Sequence, residues 1–275
     1  MQTIGHGEPV VIPNGVYFVH DLAELADGFQ LIAYDPRNRG FSERVMEGER
    51  IVGDIHSDVE DLELVRRHLG LERLNLIGHS YMGLVVALYA MTYPEHVRRV
   101  VQIGPAQPQA AKFYPADLKF DDGVMAQVFG RMGQMRGEAT STDPVSFCRK
   151  MVEVMRVMYV VDPANAHRID WGRCEAPNEL GFMKYWMENL MPSLQKLEIT
   201  PEMYSKVTCP VLTIHGRKDR NAPYGGALDW FEALPNVQLV SIENAAHAPW
   251  VEAPAEVLGA IRNFLATEVA AAPAG

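Results

Sequence analysis

Short apolar runs alternate with stretches of helical periodicity along most of the chain. Val59, Leu62, Val65 and Leu69 recur at the spacing of one helix face, and Gly70 follows as a stop. Strands that alternate with helices are typical of a mostly parallel sheet flanked by helices, which makes the predicted fold class α/β. The predicted strands are Val10–Pro13, Gln30–Tyr34, Leu74–Ile77, Val100–Ile103, Pro210–His215 and Val237–Ile242, and the most apolar helices are Tyr81–Tyr93 and Pro254–Leu265.

This alternation is interrupted in the middle of the chain. Residues 107–206 are predicted to form helices and loops, because they contain no convincing alternating strand. In open α/β sheets, ligands bind at the carboxyl ends of the strands, which a helical insertion would cover. We therefore predict an α/β core made of residues 1–106 and 207–275, and a helical cap made of residues 107–206.

The turn between the strand Leu74–Ile77 and the apolar helix that follows contains a candidate nucleophile. A serine on so sharp a turn has its hydroxyl held out of the sheet, where a substrate can reach it. Gly78 and Ser80 match the first part of the pattern Gly-x-Ser-x-Gly, but Met82 occupies the position of the last glycine. His79 is predicted to pack beside the nucleophile and not to act as the base.

A serine hydroxyl needs a base to remove its proton, and the base needs an acid that orients it. For a serine on this kind of turn, the acid and then the histidine follow in the chain. Asp219 follows a predicted strand and is the only carboxylate between Val211 and Leu228. His247 follows the last predicted strand and is the only histidine after Asp219. The sequence therefore predicts a catalytic triad of Ser80, Asp219 and His247.

Three further segments extend the match to a known family. Residues 35–42 (Asp-Pro-Arg-Asn-Arg-Gly-Phe-Ser) resemble the loop after the fourth strand of serine-dependent α/β-hydrolases of the esterase and prolyl-iminopeptidase type. Residues 93–97 resemble the usual exit from the nucleophile helix of that family, and residues 248–254 resemble the stretch after its catalytic histidine. The resemblance covers about Glu8 to Leu265, and it implies the α/β-hydrolase fold with a helical cap.

The N-terminal part departs from the family pattern. The family usually begins with a β-hairpin, whereas this shortened N-terminus is expected to enter almost at once on the equivalent of the third strand. The exposed sheet edge could be covered by a loop or by the partner subunit of a homodimer. The family's His-Gly after that strand is replaced by Asn14-Gly15. The oxyanion hole is then expected to use the backbone N–H groups of Val16 and Tyr81.

Apolar and aromatic side chains flank the predicted site loops. Packing in the core explains each of them separately, but together they suggest an apolar acyl or aryl pocket. At the position of Met82 a glycine normally allows tight packing of the helix against the strand. The sequence therefore does not determine the local shape of this turn. The pocket candidates are Tyr17, Phe18, Met82, Met158, Trp186 and Trp250.

These residues predict hydrolysis of a carboxylic ester through an acyl-enzyme, with a small-molecule ester or amide as substrate. The nearest alternative is an aminopeptidase, which needs a carboxylate in the cap to bind the substrate's α-amine. Glu175, Glu179 and Glu188 are candidates for this role, although solvated helix charges explain them as well. An acyltransferase, a lactonase and a ligand receptor without turnover remain open on the same fold.

Composition excludes several classes of partner. The net charge of −10 and the lack of clustered Lys and Arg argue against nucleic acid. No run of about 18 apolar residues predicts a membrane span. No metal-ligand spacing and no phosphate-loop pattern is present, so we expect no metal and no cofactor. Cys148, Cys174 and Cys209 are odd in number and widely spaced, which favours reduced thiols in a cytoplasmic protein.

Overall fold

A mostly parallel sheet forms the centre of the protein. The computed structural model describes residues 1–137, 143–169 and 173–267. The strands are β1 (Gln2–Ile4), β2 (His6–Pro13), β3 (Asp27–Tyr34), β4 (Met46–Glu47), β5 (Arg50–Ile51), β6 (Leu74–His79), β7 (Val97–Ile103), β8 (Val211–Gly216) and β9 (Val237–Ile242). The helices are α1 (Ile55–His68), α2 (Tyr81–Thr92), α3 (Val124–Gly137), α4 (Pro144–Arg156), α5 (Glu179–Tyr185), α6 (Met191–Gln195), α7 (Pro201–Ser205), α8 (Tyr224–Ala233), α9 (Pro249–Glu252) and α10 (Pro254–Ala266).

Seven of these strands make one sheet, in the order β1-β3-β2-β6-β7-β8-β9 across the described residues. All neighbouring pairs run parallel except β1 and β3. Each strand predicted from the sequence is present, and the predicted α/β class with a parallel sheet is confirmed. One short strand was not predicted: Gln2–Ile4 form an antiparallel edge strand beside Leu31–Ala33 before the chain enters the strand around Val10.

The two faces of the sheet are covered by separate hydrophobic clusters. Successive side chains of a strand point to opposite faces. Val10 and Ile12 accordingly pack in one cluster with residues of α10, while Val11 packs in the other with residues of α1 and α2. Helix α2 is buried from Tyr81 to Met91, which is why its sequence has no polar face.

Between β7 and β8 the structure has helices α3 to α7, the 3-10 helices Val157–Tyr159 and Pro163–Arg168, and a π helix, Trp186–Leu190. No strand lies among them in residues 107–137, 143–169 and 173–206. This composition agrees with a helical insertion, while the cap boundaries at residues 107 and 206 stay a prediction. Of the core predicted to extend to residue 275, residues 268–275 lie outside the described part. No helix in that part is both long and apolar enough to cross a bilayer.

Two of the three cysteines form a disulfide, which corrects the prediction of reduced thiols. Cys148 in α4 and Cys174 lie 26 residues apart in sequence, and their Cα atoms are 5.8 Å apart. The folding of the insertion brings them together, and their spacing in the sequence gives no sign of it. Cys209 is free and buried. The cysteines therefore no longer support a cytoplasmic location.

Candidate active site

The candidate nucleophile lies at the carboxyl end of β6, directly before α2. Ser80 has φ of 56° and ψ of −123°, a backbone conformation that non-glycine residues rarely adopt. Such a conformation costs about 1–3 kcal/mol and persists only where the surrounding structure enforces it. Here the Ser80 N–H donates to Ile103 O (2.9 Å), and Ser80 O accepts from the N–H groups of Gly83 (2.9 Å) and Ala106 (3.0 Å). Hydrogen bonds of both the N–H and the carbonyl of Ser80 therefore hold the strained turn in place.

Two glycines permit the tight turn, and Met82 does not obstruct it. A Cβ on Gly78 would lie 2.3 Å from Met82 O, and a Cβ on Gly83 would lie 3.0 Å from Pro105 Cα. The close approach of helix and loop thus occurs at Gly83. The Met82 side chain is 4% exposed and packs in the cluster formed with α1. This position does not favour the predicted contribution of Met82 to a substrate pocket.

Asp219 and His247 meet in a buried pair at the carboxyl ends of β8 and β9. His247 Nδ1 donates to Asp219 Oδ2 at 2.6 Å. The other carboxylate oxygen accepts from the N–H groups of Asn221 (2.8 Å) and Ala222 (2.9 Å). This arrangement leaves His247 Nε2 as the nitrogen able to accept a proton. In the described residues, Nε2 is buried and has no hydrogen-bond partner.

The electrostatics of the site favour the ionised form of Asp219. Burial alone raises the pKa of Asp219, but the charge of His247 and hydrogen bonds from His215 and His247 outweigh it. The pKa of Asp219 therefore lies well below its ordinary value. His215 Nε2 lies 3.3 Å from Asp219 Oδ2 and bonds to Ala222 O (2.9 Å). Sequence reasoning had not singled out His215 as a neighbour of Asp219.

Gly104 connects the serine turn with the Asp219–His247 pair. It directly follows Ile103, whose carbonyl holds the Ser80 N–H. A Cβ on Gly104 would lie 3.2 Å from His247 Nδ1 and 3.3 Å from Asp219 Oδ2. The three predicted triad residues are therefore brought to one edge of the sheet around this glycine. Within the described residues, no hydrogen bond joins Ser80 to His247 Nε2, and such bonds are often long before substrate binds.

The fold and this geometry agree with a family match. A family model of the alpha/beta hydrolase fold matches residues 6–254. The chain belongs to the α/β-hydrolase fold family. The resemblance inferred from the sequence is thereby confirmed.

Relatives of this α/β-hydrolase chain include both peptidases and esterases by name. A proline iminopeptidase from Heyndrickxia coagulans is 25% identical over 95% of this chain and 91% of the relative. A bifunctional esterase/perhydrolase from Acinetobacter calcoaceticus is 26% identical over 83% of this chain and 79% of the relative. A solved esterase from Exiguobacterium antarcticum is 18% identical, with a TM-score of 0.69 over 97% of this chain and 94% of the esterase. This last likeness concerns the fold alone.

The candidate oxyanion hole of the hydrolase lies beside the serine turn. Val16 is in a short 3-10 helix, Gly15–Tyr17, that directly follows β2. Tyr81 is the first residue of α2, where backbone N–H groups lack partners within the helix. No hydrogen bond within the described residues uses the N–H of Val16 or Tyr81. The role of these two N–H groups as oxyanion donors therefore stays a prediction.

His79 joins the loop of the candidate oxyanion hole to the loop of His247. Its Nε2 donates to His247 O at 2.9 Å, so its Nδ1 is the acceptor of a hydrogen bond from the Tyr17 hydroxyl. Burial, and then the charge of His247, lowers the pKa of His79 well below its ordinary value. A neutral imidazole fits this donor and acceptor pattern. The geometry agrees with the predicted packing role of His79.

The structure places the pocket candidates at different positions around the site. Phe18 and Trp250 are 1% and 3% exposed, and their rings pack against His79 at centroid distances of 5.8 and 4.7 Å. Trp186 is half-buried and contacts Tyr81 edge-on at 5.4 Å. Met158 is buried among residues of α3. Tyr159 was missed from the sequence, although its ring lies 4.9 Å from that of His247.

Gly104→Ala is expected to lower kcat for hydrolysis by an order of magnitude or more. The added Cβ would displace His247 or Asp219, and a shift of about 1 Å in a reacting group can cost about 10²-fold in rate. Gly104 also has φ of +50°, so the substitution strains the backbone as well. Steady-state kinetics measures the loss.

The matched control is Gly48→Ala. Gly48 has φ of +60°, but its added Cβ would meet nothing within 4 Å. This variant therefore carries the backbone strain without a contact with the Asp219–His247 pair. Equal kcat values for the two variants would show that Gly104 does not set the position of the pair.

Proposed function

We propose that this chain is a serine hydrolase that cleaves carboxylic esters through an acyl-enzyme intermediate. The observation that carries the proposal is the buried 2.6 Å hydrogen bond between His247 and Asp219, at the same sheet edge as Ser80. An acid that orients a histidine at the same sheet edge as a partly buried serine is the arrangement that acyl transfer requires. The bifunctional esterase/perhydrolase among the relatives supports the same choice.

Each residue then has a defined role in the reaction. The Ser80 hydroxyl attacks the ester carbonyl while His247 Nε2 takes its proton, and His247 later gives that proton to the leaving alkoxide. Asp219 holds the tautomer with its proton on Nδ1 and stabilises the imidazolium that forms. The N–H groups of Val16 and Tyr81 stabilise the oxyanion. Water, activated by His247, hydrolyses the acyl-enzyme.

An aminopeptidase is the second candidate, because one of the three predicted carboxylates has a suitable environment. Glu175 and Glu188 are exposed and lie beside Arg149 and Lys184, respectively. Glu179, at the start of α5, is half-buried, and its burial raises the pKa of its carboxyl group. A half-buried carboxylate that can gain from a cationic partner is a better site for a substrate's α-amine than a solvated one. The proline iminopeptidase relative agrees with this alternative.

The two activities separate on matched substrates. We expect a short-chain aryl ester to be hydrolysed with a higher kcat/KM than a proline arylamide that carries a comparable leaving group. Glu179→Gln should leave ester hydrolysis unchanged, as should the exposed control Glu188→Gln. Faster hydrolysis of the arylamide, together with its selective loss in Glu179→Gln, would replace the esterase proposal with the aminopeptidase.

Acyl transfer and ligand reception are distinguished in the same assay. Sustained multiple turnover in water alone supports hydrolysis. A rate that needs an added alcohol, with the alcohol recovered as a new ester, would indicate an acyltransferase. A single turnover or none, with the ligand bound, would indicate a receptor.

A further inference from the structure

Residues 158–162 of the predicted cap, named here the bridging segment, contact the loop that carries the proposed acid. Asn221 Nδ2 donates to Met158 O at 3.1 Å. Arg220 Nη1 donates to Val160 O at 2.5 Å. Both donors come within two residues of Asp219. The bridging segment therefore satisfies side chains of the loop that holds the carboxylate in place.

The bridging segment also contacts the loop that carries the proposed base. The Ala248 N–H donates to Tyr159 O at 2.8 Å. The Glu252 carboxylate accepts from the Val161 N–H through Oε1 (2.7 Å) and from the Ala246 N–H through Oε2 (2.8 Å). The backbone N–H groups directly before and after His247 are thus both held, one by Glu252 and the other by the bridging segment.

The side chain of Tyr159 adds a third contact on the imidazole itself. Its ring lies edge-on to the His247 ring, with centroids 4.9 Å apart and an interplanar angle of 64°. It also approaches the ring of His79, which bonds to His247 O, at 6.3 Å. The His247 side chain therefore meets the bridging segment on one side and His79 on another.

We propose that the bridging segment positions His247 for catalysis, and that Glu252 is the positioning residue that connects the two. This proposal rests on the proposed serine hydrolase mechanism. A carboxylate has only acceptor oxygens, so Glu252 can receive an N–H group from each of two chain segments at once. A displacement of the His247 loop by a few tenths of an ångström would move Nε2 relative to Ser80. Glu252 prevents that movement because its hydrogen bonds connect the His247 loop to the bridging segment.

Glu252→Gln tests this role with little change in size. The amide keeps one acceptor oxygen, but its NH₂ group would face the donors on the other side. Either the bond from the Ala246 N–H or the bonds from the Val161 and Asp162 N–H groups are then lost. The matched control is Glu256→Gln, since Glu256 is exposed in the first turn of α10. We expect Glu252→Gln to lower kcat for an aryl ester by about 10²-fold with little change in KM, and the control to change neither.

A second readout does not depend on turnover. The proton between His247 Nδ1 and Asp219, in a 2.6 Å bond, should give a far-downfield proton NMR resonance that His247→Ala removes. In Glu252→Gln this resonance should shift or broaden, while it stays unchanged in Glu256→Gln. A purely structural role for Glu252 would lower the thermal midpoint without moving either the resonance or kcat.

The outcomes separate the two proposals. A wild-type kcat and an unmoved resonance in Glu252→Gln would overturn the positioning role. Absence of turnover of any ester by the wild type, with the resonance still displaced in Glu252→Gln, would contradict the esterase and keep the positioning role. Should Glu252→Gln fail to fold, Asn221→Ala tests the proposal instead, because it removes a bond between the bridging segment and the Asp219 loop. A severalfold fall in its kcat with a moved resonance supports the proposal, and no change in either overturns it.

Discussion

Ser80→Ala is expected to lower kcat for the preferred ester by about 10⁶-fold, the scale seen when the nucleophile of a serine hydrolase is removed. The reason is chemical, because alanine offers no oxygen to form the acyl-enzyme. The Asp219–His247 hydrogen bond should persist, since it does not involve Ser80. Pre-steady-state kinetics should show that the burst of released alcohol disappears together with the steady-state rate.

Ser205→Ala is the control for this variant. Ser205 ends α7 and is exposed, and its hydroxyl bonds only locally, to Glu202 O at 2.8 Å. We expect its kcat to equal that of the wild type. A Ser80→Ala variant that keeps its activity would mean that another group attacks the substrate, and the mechanism proposed above would be wrong.

Asp58→Ala is expected to reduce the free energy of unfolding by about 3–5 kcal/mol, because it leaves a buried arginine without its counter-charge. Asp58 accepts two hydrogen bonds from Arg39 Nη2 (2.8 and 2.7 Å) and one from the Tyr81 hydroxyl (2.8 Å). The side chains of Arg39 and Asp58 are only 4% and 1% exposed. Arg39 Nε and Nη1 already have no partner among the described residues. Urea unfolding followed by circular dichroism measures the loss.

One turn further along α1, Asp61 provides a matched comparison. It bonds to Arg37, but the two side chains are 15% and 25% exposed, so water can replace the lost partner. Asp61→Ala should therefore cost about 1 kcal/mol or less. Similar losses in the two variants would show that burial does not set the strength of the Arg39–Asp58 pair. The double variant Asp58→Leu with Arg39→Met should recover most of the loss, since no buried charge remains.

The parts of the fold that follow local patterns were predictable from the sequence. The strands around Leu74–Ile77 and Pro210–His215 are apolar runs that end at loops, and the structure contains them in a parallel sheet. Asp219 and His247 were found because each is the only residue of its type in a segment that follows a predicted strand, in the chain order that a serine on such a turn requires. Their hydrogen bond agrees with that expectation.

Features that depend on the folding of the insertion could not be predicted. Cys148 and Cys174 lie at no characteristic spacing, and only the path of the chain between them brings their sulfur atoms together. Tyr159 belongs to no periodic pattern, so nothing in the sequence indicated its contact with His247. Glu252 was visible in a segment that resembles the family, but its role depends on backbone groups, which all residues share. Gln2–Ile4 is too short a strand for any alternation to appear.

The bonds between the bridging segment and the two loops limit how the substrate range of this protein can be altered. Exchanging the insertion for that of another α/β-hydrolase would remove the acceptor of the Ala248 N–H and the two donors to Glu252 in the bridging segment, Val161 and Asp162. Chimeras joined at residues 107 and 206 should therefore lose activity even when both parts fold. Grafts that retain residues 158–162 and exchange only the helices on either side are the more promising design.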